Sequence, residues 1–203
     1  MQAKICGLTT VEQIKFCIDY GAKFCGFILN YKKSHRYIDF EIAKQLTNID
    51  KKNTSFVGVL VKPRQEEFEL FSCLNLDYFQ IYGDYTAEEI TEFKKKYKKK
   101  IIMALQIKQE RDVLKYKTYE KVADIILFDS SGLYQSLSWN FNWIKAVPSS
   151  ITRMLAGNIN VDMLENLKKI TDIVDVSGAL ETDKVKDVIK IKKFLDKIKQ
   201  IND

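Results

Sequence analysis

Two residues of the chain combine a reactive side chain with a position directly after an apolar run. Cys6 lies in "AKICGLTT" (residues 3–10), and Asp129 follows the apolar residues of "ILFDSSG" (residues 126–132). We expect a thiol that faces cations or backbone dipoles to lose its proton easily, and a thiolate can take a proton from an acidic C–H bond. Burial of Asp129 would raise its pKa and suit it to act as an acid. The plainer alternatives are a small buried hydrophobe for Cys6 and a helix-capping loop residue for Asp129.

Two short glycine loops point to phosphate binding. "AGNIN" (residues 156–160) and "SGALE" (residues 177–181) each follow an apolar run and lead toward a helix. Glycine lets the backbone approach an anion closely, and free N–H groups at the start of a helix turn their positive ends toward it. Either loop alone also fits an ordinary turn, but their occurrence after consecutive strands favours a phosphate site.

The elements that must position these residues alternate regularly along the chain. Apolar, β-branched and aromatic runs predict eight strands, and the segments between them have helical spacing, as in "TVEQIKFCIDYG" (residues 10–21). Runs such as "FCGFIL" and "FVGVLV" suit a sheet buried on both faces. We therefore predict an α/β fold, a (β/α)8 TIM barrel with a parallel eight-stranded closed sheet; an open doubly wound sheet is the alternative. The predicted strands cover roughly residues 2–7, 24–29, 56–61, 78–82, 101–107, 124–128, 151–156 and 173–177.

Composition limits the functional classes. The 203 residues predict one domain over 1–203, and 46% hydrophobic with 30% charged residues is typical of a protein that folds in water. No secretory signal or membrane-spanning run is visible, which predicts a cytoplasmic protein. The four cysteines contain no C-x-x-C pair, so neither a metal site nor a disulfide framework is expected. The net charge of +6 suggests nucleic acid as a partner, but the lysines fit the solvated faces of helices. We therefore predict no nucleic-acid partner.

Motifs along the whole chain resemble those of the phosphoribosylanthranilate isomerases. "KICGLT" (residues 4–9) resembles the family's K-[IV]-C-G-[IL]-[TK], and "FQIYGD" (residues 79–84) is similar to V-Q-L-H-G-x. "ILFDS" (residues 126–130) resembles L-L-D-[ST], and "LAGNIN" (residues 155–160) resembles L-A-G-G-[IL]. "DVSGALET" (residues 175–182), followed by "KD", resembles D-[VL]-[SN]-S-G-[VA]-E-x with its own K-D.

The resemblance implies a reaction and assigns roles to matched residues. It implies an Amadori rearrangement of N-(5-phosphoribosyl)anthranilate to 1-(2-carboxyphenylamino)-1-deoxyribulose 5-phosphate in tryptophan biosynthesis, with no metal or organic cofactor. Asp129 matches the general acid that opens the ribose ring, Cys6 matches the general base at ribose C2, and Arg36 matches the arginine beside the anthranilate carboxylate. The partners implied are a small phosphorylated substrate and a monomeric or homodimeric state. The substrate-binding positions are Gln80 and, for the phosphate, Gly157, Asn158, Ser177 and Gly178.

Several positions depart from the family pattern. Residues 135–138 stand where the family has a glycine-rich loop, His35 where it usually has proline, Tyr82 where it has histidine, and Asn158 where it usually has a second glycine. The altered loop puts closure over the substrate in doubt. Two alternatives stay open: the altered loop allows a related phosphate-binding barrel for another phosphoribosyl substrate, and the net charge of +6 with the lysine run at 94–100 allows a non-catalytic basic binding module.

Overall fold

The computed structural model describes residues 1–130 and 137–203. Within these residues, eight parallel strands form a closed barrel in which each strand pairs with the next and the last pairs with the first. The predicted (β/α)8 barrel is confirmed. Its strands are β1 (Gln2–Cys6), β2 (Phe24–Ile28), β3 (Ser55–Val61), β4 (Tyr78–Tyr82), β5 (Lys100–Gln106), β6 (Ile125–Asp129), β7 (Arg153–Leu155) and β8 (Ile173–Val176).

The strands are apolar on both faces because each face is buried in a different core. On β5, Ile102 and Ala104 point into the barrel, where they pack with residues of other strands such as Phe24 and Met154. The intervening Met103 belongs to the larger core between the strands and the helices. Successive side chains of a strand point to opposite faces, so one continuous apolar run supplies both cores.

The longest helices surround the barrel and begin at residues that cap them. Thr86 and Glu89 form a capping box at the start of α4 (Ala87–Tyr97), and the Asp187 carboxylate accepts from the N–H groups of Ile189 and Lys190 at the start of α7 (Val188–Asn202). In the part of the chain that the structure describes, no helix is both long enough and apolar enough to cross a membrane. The helices are α1 (Val11–Asp19), α2 (Phe40–Thr47), α3 (Gln65–Ser72), α4 (Ala87–Tyr97), α5 (Tyr116–Tyr119), α6 (Leu164–Leu167) and α7 (Val188–Asn202).

The helices predicted after β5, β6 and β7 are shorter than expected. After β5 and β7, a 3-10 turn precedes a single turn of α-helix, α5 or α6. The segment "NFNWIKAV" (residues 140–147) forms only the 3-10 helix Phe141–Ala146, so the α-helix predicted there is wrong. Val147 precedes Pro148 and adopts an extended backbone, because the proline ring disfavours helical angles in the residue before it.

A small hairpin follows β8 and was not predicted. Its strands, β9 (Glu181–Thr182) and β10 (Val185–Lys186), pair antiparallel and place Lys186 opposite Glu181. The two residues between them, Asp183 and Lys184, have φ angles of 51° and 65°. A two-residue hairpin turn with both φ angles positive matches the right-handed twist of its strands. The hairpin thereby presents an acidic and a basic side chain side by side at the barrel mouth.

Candidate active site

A cavity of about 370 Å³ opens at the carboxyl ends of the barrel strands. Parallel pairing brings all of these ends to one side of the barrel, where residues far apart in the chain meet. All the site residues predicted from the sequence line this cavity: Cys6, Arg36, Gln80, Asp129, Gly157, Asn158, Ser177 and Gly178.

The floor of the cavity holds a buried ion pair beside the Cys6 thiol. Lys4 Nζ lies 2.8 Å from Asp175 Oδ2, and Lys4 is 0% exposed. Lys4 and Cys6 are two positions apart on β1, so their side chains share one face of the strand. Gly26 on β2 pairs with Cys6, and a Cβ there would lie 2.9 Å from Cys6 Sγ and 3.1 Å from Lys4 Nζ. Glycine at position 26 therefore leaves room for both side chains.

Burial controls the protonation of the Cys6 thiol in the ligand-free protein. Burial raises its pKa, and the charge and hydrogen bond of Lys4 offset this only in part. Asp175 raises the pKa further, and Lys186 lowers it. The expectation that this thiol loses its proton easily is therefore wrong for the free protein, because removal from water outweighs the nearby cations.

The Asp129 carboxyl group accepts a hydrogen bond from an uncharged phenol. The Tyr82 hydroxyl donates to Asp129 Oδ2 at 2.8 Å, and Gln80 Nε2 donates to the Tyr82 oxygen at 3.2 Å. Gln80 and Tyr82 are two positions apart on β4 and share the face that points into the barrel. Asp129 ends β6 and is 7% exposed, so its carboxyl group faces the cavity from a buried position.

Arg36 forms a charge network with the hairpin after β8. Its Nε and Nη2 atoms donate to the two oxygens of Glu181 at 2.5 and 2.8 Å, and Lys186 Nζ lies 2.5 Å from Glu181 Oε1. His35 Nε2 lies 3.1 Å from Glu181 Oε2. Burial works to raise the pKa of Glu181, but Arg36 and Lys186 outweigh it and hold that pKa at about 2. One edge of the Arg36 guanidinium is thus already paired within the protein.

The loop after β7 contains two successive residues with positive φ angles. Gly157 and Asn158 have φ angles of 118° and 52°. A Cβ at Gly157 would lie 2.8 Å from the Trp139 ring, so the backbone approaches the indole closely. Asn158 Nδ2 donates to Ser138 Oγ at 3.0 Å. Of the altered loop at 135–138, residues 135 and 136 lie outside the described residues.

The loop after β8 connects the phosphate-binding candidates to Cys6. The Ser177 hydroxyl donates to the Cys6 carbonyl oxygen at 2.8 Å, and Lys186 Nζ donates to Ser177 Oγ at 3.1 Å. Within residues 1–130 and 137–203, the backbone N–H groups of Gly157, Asn158 and Gly178 donate to no other group. These three N–H groups are therefore available at the cavity wall for an anion.

The sequence analysis missed five residues that line the cavity or pair with residues next to it. Lys4 and Asp175 were quoted within motifs, but neither was named as a site residue, although a charge inside an apolar strand signals a buried partner. Tyr82 was noted only as a departure from a family pattern. Glu181 and Lys186 had no local signal, since their pairing depends on the hairpin geometry.

The groups at the cavity are suited to proton transfer and anion binding. Among the described residues, no three His, Cys, Asp or Glu side chains are grouped to hold a metal ion. The chain's one histidine, His35, contacts Glu181 instead. The reactive and charged side chains that line the cavity are a thiol (Cys6), two carboxyl groups (Asp129 and Asp175) and a guanidinium (Arg36).

Comparison with protein-family models identifies one family over nearly the whole chain. Residues 3–197 match the model described as N-(5'-phosphoribosyl)anthranilate (PRA) isomerase. The protein named N-(5'-phosphoribosyl)anthranilate isomerase from Thermoanaerobacter pseudethanolicus is 33% identical over 208 residues, covering 99% of each chain. The protein of the same name from Streptococcus mutans is 31% identical and covers 98% of this chain and 99% of its own.

Solved structures agree with this family in fold. Phosphoribosyl anthranilate isomerase from Thermotoga maritima superposes with a TM-score of 0.88 at 26% identity, covering 98% of this chain and 99% of its own. A phosphoribosyl anthranilate isomerase bound to reduced 1-(o-carboxyphenylamino)-1-deoxyribulose 5-phosphate superposes with a TM-score of 0.85 at 26% identity, with the same coverage. The similarity therefore extends over the complete barrel.

Proposed function

The chain belongs to the N-(5'-phosphoribosyl)anthranilate isomerase family, and we propose that it converts N-(5-phosphoribosyl)anthranilate to 1-(2-carboxyphenylamino)-1-deoxyribulose 5-phosphate, a step of tryptophan biosynthesis. One observation carries the proposal: the Cys6 thiol and the Asp129 carboxyl group line one cavity together with an arginine and three available backbone N–H groups. This set of groups fits a substrate with a carboxylate, a phosphate and a sugar ring that must open.

Asp129 starts the reaction as the general acid. Its proton passes to the ribose ring oxygen, the bond between that oxygen and C1 breaks, and the anthranilate nitrogen forms a protonated Schiff base with C1. Asp129 becomes a carboxylate when its proton leaves. Water reaches this carboxyl group poorly because it is 7% exposed.

Cys6 completes the rearrangement as the general base. The Schiff base makes the hydrogen on ribose C2 acidic, and the thiolate takes it; the resulting enolamine then tautomerises to the C2 ketone. Lys4 and Lys186 favour the thiolate against the cost of burial. The positive charge of the bound Schiff base favours it further, because an opposite charge at short range lowers a thiol pKa.

Arg36 and the two loops bind the ends of the substrate. Two of the five guanidinium N–H groups of Arg36 donate to Glu181. The N–H groups on the Nη1 side of the guanidinium are left for the anthranilate carboxylate. Around Glu181, two cationic side chains face one carboxylate, so this part of the mouth favours an anion. The backbone N–H groups of Gly157, Asn158 and Gly178, with the Ser177 loop, bind the phosphate.

Two buried acceptors bind the sugar hydroxyls. Gln80 Oε1 and Asp175 Oδ1 are buried and have no hydrogen-bond partner among residues 1–130 and 137–203, and both residues line the cavity. A buried acceptor without a donor destabilises the folded protein, and a substrate hydroxyl supplies that donor. The pair thus recognises an opened ribose.

We assign the protein to the cytoplasm as a monomer or homodimer that binds no nucleic acid. All four cysteines are free thiols, which fits a reducing compartment. Several lysines of the basic run at 94–100 already have partners, since Lys94 pairs with Asp124 and Lys96 with Glu69. A Thermotoga maritima relative is described as dimeric and has been converted to monomers.

The direct test mixes the purified protein with freshly prepared phosphoribosylanthranilate. We expect enzyme-dependent loss of anthranilate-type fluorescence with a product of unchanged mass, whereas spontaneous hydrolysis releases anthranilate. Asp129→Asn is the matched control because it keeps the shape of the side chain and removes the acid. Equal rates for the two proteins would contradict the proposal, and turnover of a phosphoribosyl aminoaldose without the carboxylate would favour the related substrate class.

A further inference from the structure

The phenol of Tyr82 is a hydrogen-bonding neighbour of Asp129. The Tyr82 oxygen lies 2.8 Å from Asp129 Oδ2 and 3.2 Å from Gln80 Nε2. An amide nitrogen is only a donor, so the Tyr82 oxygen accepts from Gln80 and its single proton goes to Asp129. The order of donation therefore runs from Gln80 through Tyr82 to Asp129.

Tyr82 keeps its own proton under the conditions in which the enzyme works. Burial raises the pKa of the phenol well above its ordinary value, and the charge of Asp129 raises it further. The other titratable groups that raise it are Asp175 on β8 and Cys6 on β1. Lys4, also on β1, is paired with Asp175. The phenol is thus a fixed donor rather than a second acid.

We propose that Tyr82 is a positioning residue that orients the Asp129 carboxyl group and stabilises the negative charge that forms there when the ring oxygen is protonated. The proposal deepens the proposed function and rests on it for the identity of the reaction. No covalent bond of Tyr82 changes: the proton that reaches the substrate leaves Asp129, and the Tyr82 proton stays on its own oxygen. A donor aimed at a carboxylate favours the charged form of the acid and makes it easier for Asp129 to release its proton.

The test compares Tyr82→Phe with Tyr82→His and with the control Tyr78→Phe. Phenylalanine keeps the ring and removes the donor, whereas an imidazole N–H can donate again. Tyr78 lies on the same face of β4 at the other end of the strand, where its ring packs edge-to-face against Phe24. Tyr78→Phe thus removes a phenol hydroxyl from the same strand without touching Asp129.

In steady-state assays we expect Tyr82→Phe to lower kcat about 10- to 100-fold with KM changed less than about threefold, because one oriented hydrogen bond acts on the transition-state charge. The inflection of the kcat–pH profile that reports the Asp129 carboxyl group should move to higher pH by about one unit, because this group loses the hydrogen bond from Tyr82. Tyr82→His should recover most of kcat. A Tyr82→Phe variant with unchanged kcat and pH profile would overturn the proposal, and so would an equally slow Tyr82→His variant that is fully folded.

A second readout does not depend on activity. The 13C carboxyl signal of Asp129, assigned by its loss in Asp129→Asn, is titrated in each protein. We expect its midpoint to rise by about one pH unit in Tyr82→Phe and to stay unchanged in Tyr78→Phe. Unchanged midpoints in both variants would refute the role of Tyr82 even if the unmutated protein proved inactive on phosphoribosylanthranilate, which would refute the proposed function separately.

Discussion

The two groups that we propose for proton transfer, at opposite ends of the cavity, have different neighbours. At the thiol end, made of Lys4, Cys6 and Asp175, a charged ammonium group lies beside the thiol. At the carboxyl end, made of Gln80, Tyr82 and Asp129, the Gln80 amide donates to the Tyr82 phenol and this phenol donates to Asp129, so this chain of donors is uncharged. A base must be charged before it acts, so a cation beside it helps, whereas a cation beside an acid would remove its proton too early. Proteins can therefore separate an acid from a base by the charge of the neighbouring side chains.

The largest expected effect comes from removing the cation at the thiol end. Lys4→Met leaves Asp175 buried without its partner, and breaking a buried ion pair from one side costs about 3–5 kcal/mol of unfolding free energy. Urea unfolding monitored by circular dichroism measures this. Combining Lys4→Met with Asp175→Asn should restore a large part of the loss, because no unpaired charge remains. A single variant as stable as the unmutated protein would show that the pair contributes nothing to folding.

A third carboxylate extends the comparison, because Glu181 is surrounded by cations. Its pKa is about 2 in the folded protein against an ordinary 4.5, so the unfolded state binds the proton more readily. The stabilisation is therefore complete above about pH 4.5 and is lost as the pH falls toward 2. We expect it to amount to roughly 2 kcal/mol after allowance for solvent screening.

Unfolding free energies of the unmutated protein and Glu181→Gln, measured between pH 5 and pH 2.5, test this value. The variant should lose less stability over that range than the unmutated protein. Parallel pH curves for the two proteins would mean that Arg36 and Lys186 do not hold the Glu181 carboxylate as the structure indicates.

The smallest effect concerns the thiol itself. Because burial outweighs Lys4, the pH midpoint for alkylation of Cys6 should lie above the ordinary thiol value of 9.0 in the free protein. A Cys73→Ser background removes the exposed cysteine, and Cys17 and Cys25 are 0% exposed. Iodoacetamide labelling followed by peptide mass spectrometry gives the rate at each pH. A midpoint below 9.0 would show that the cation dominates and would restore the expectation from the sequence.

The barrel was predictable from the sequence because its signal is repeated. Eight apolar runs alternate with helical segments, and each strand is buried on both faces. The fold prediction therefore stays the same even if one element is assigned wrongly. The short helices after β5, β6 and β7 were not predictable in length, since Pro148 and the packing of loops determine where they end. Helical periodicity over eight residues cannot separate a 3-10 turn from an α-helix.

The candidate site was predictable where a residue stands at the end of a strand. Cys6 and Asp129, the last residues of β1 and β6, follow from that position and from the family resemblance, whereas Gln80 lies in the middle of β4 and follows from the resemblance. The hydrogen-bond partners of these residues could not be predicted, because the bond between Tyr82 and Asp129 joins residues 47 positions apart in the sequence. The direction of the Cys6 pKa shift also required the structure, because it depends on the balance between burial and charge.

The central claim is that Cys6 and Asp129 act as base and acid on one bound substrate. Single-turnover rates of phosphoribosylanthranilate conversion by Cys6→Ala and by Asp129→Asn, each compared with the unmutated protein and with Cys73→Ala, test it most directly. We predict that each active-site variant folds normally and is slower by about 100- to 10,000-fold, whereas Cys73→Ala is unchanged. A folded Cys6→Ala or Asp129→Asn variant within about threefold of the unmutated rate would contradict the claim.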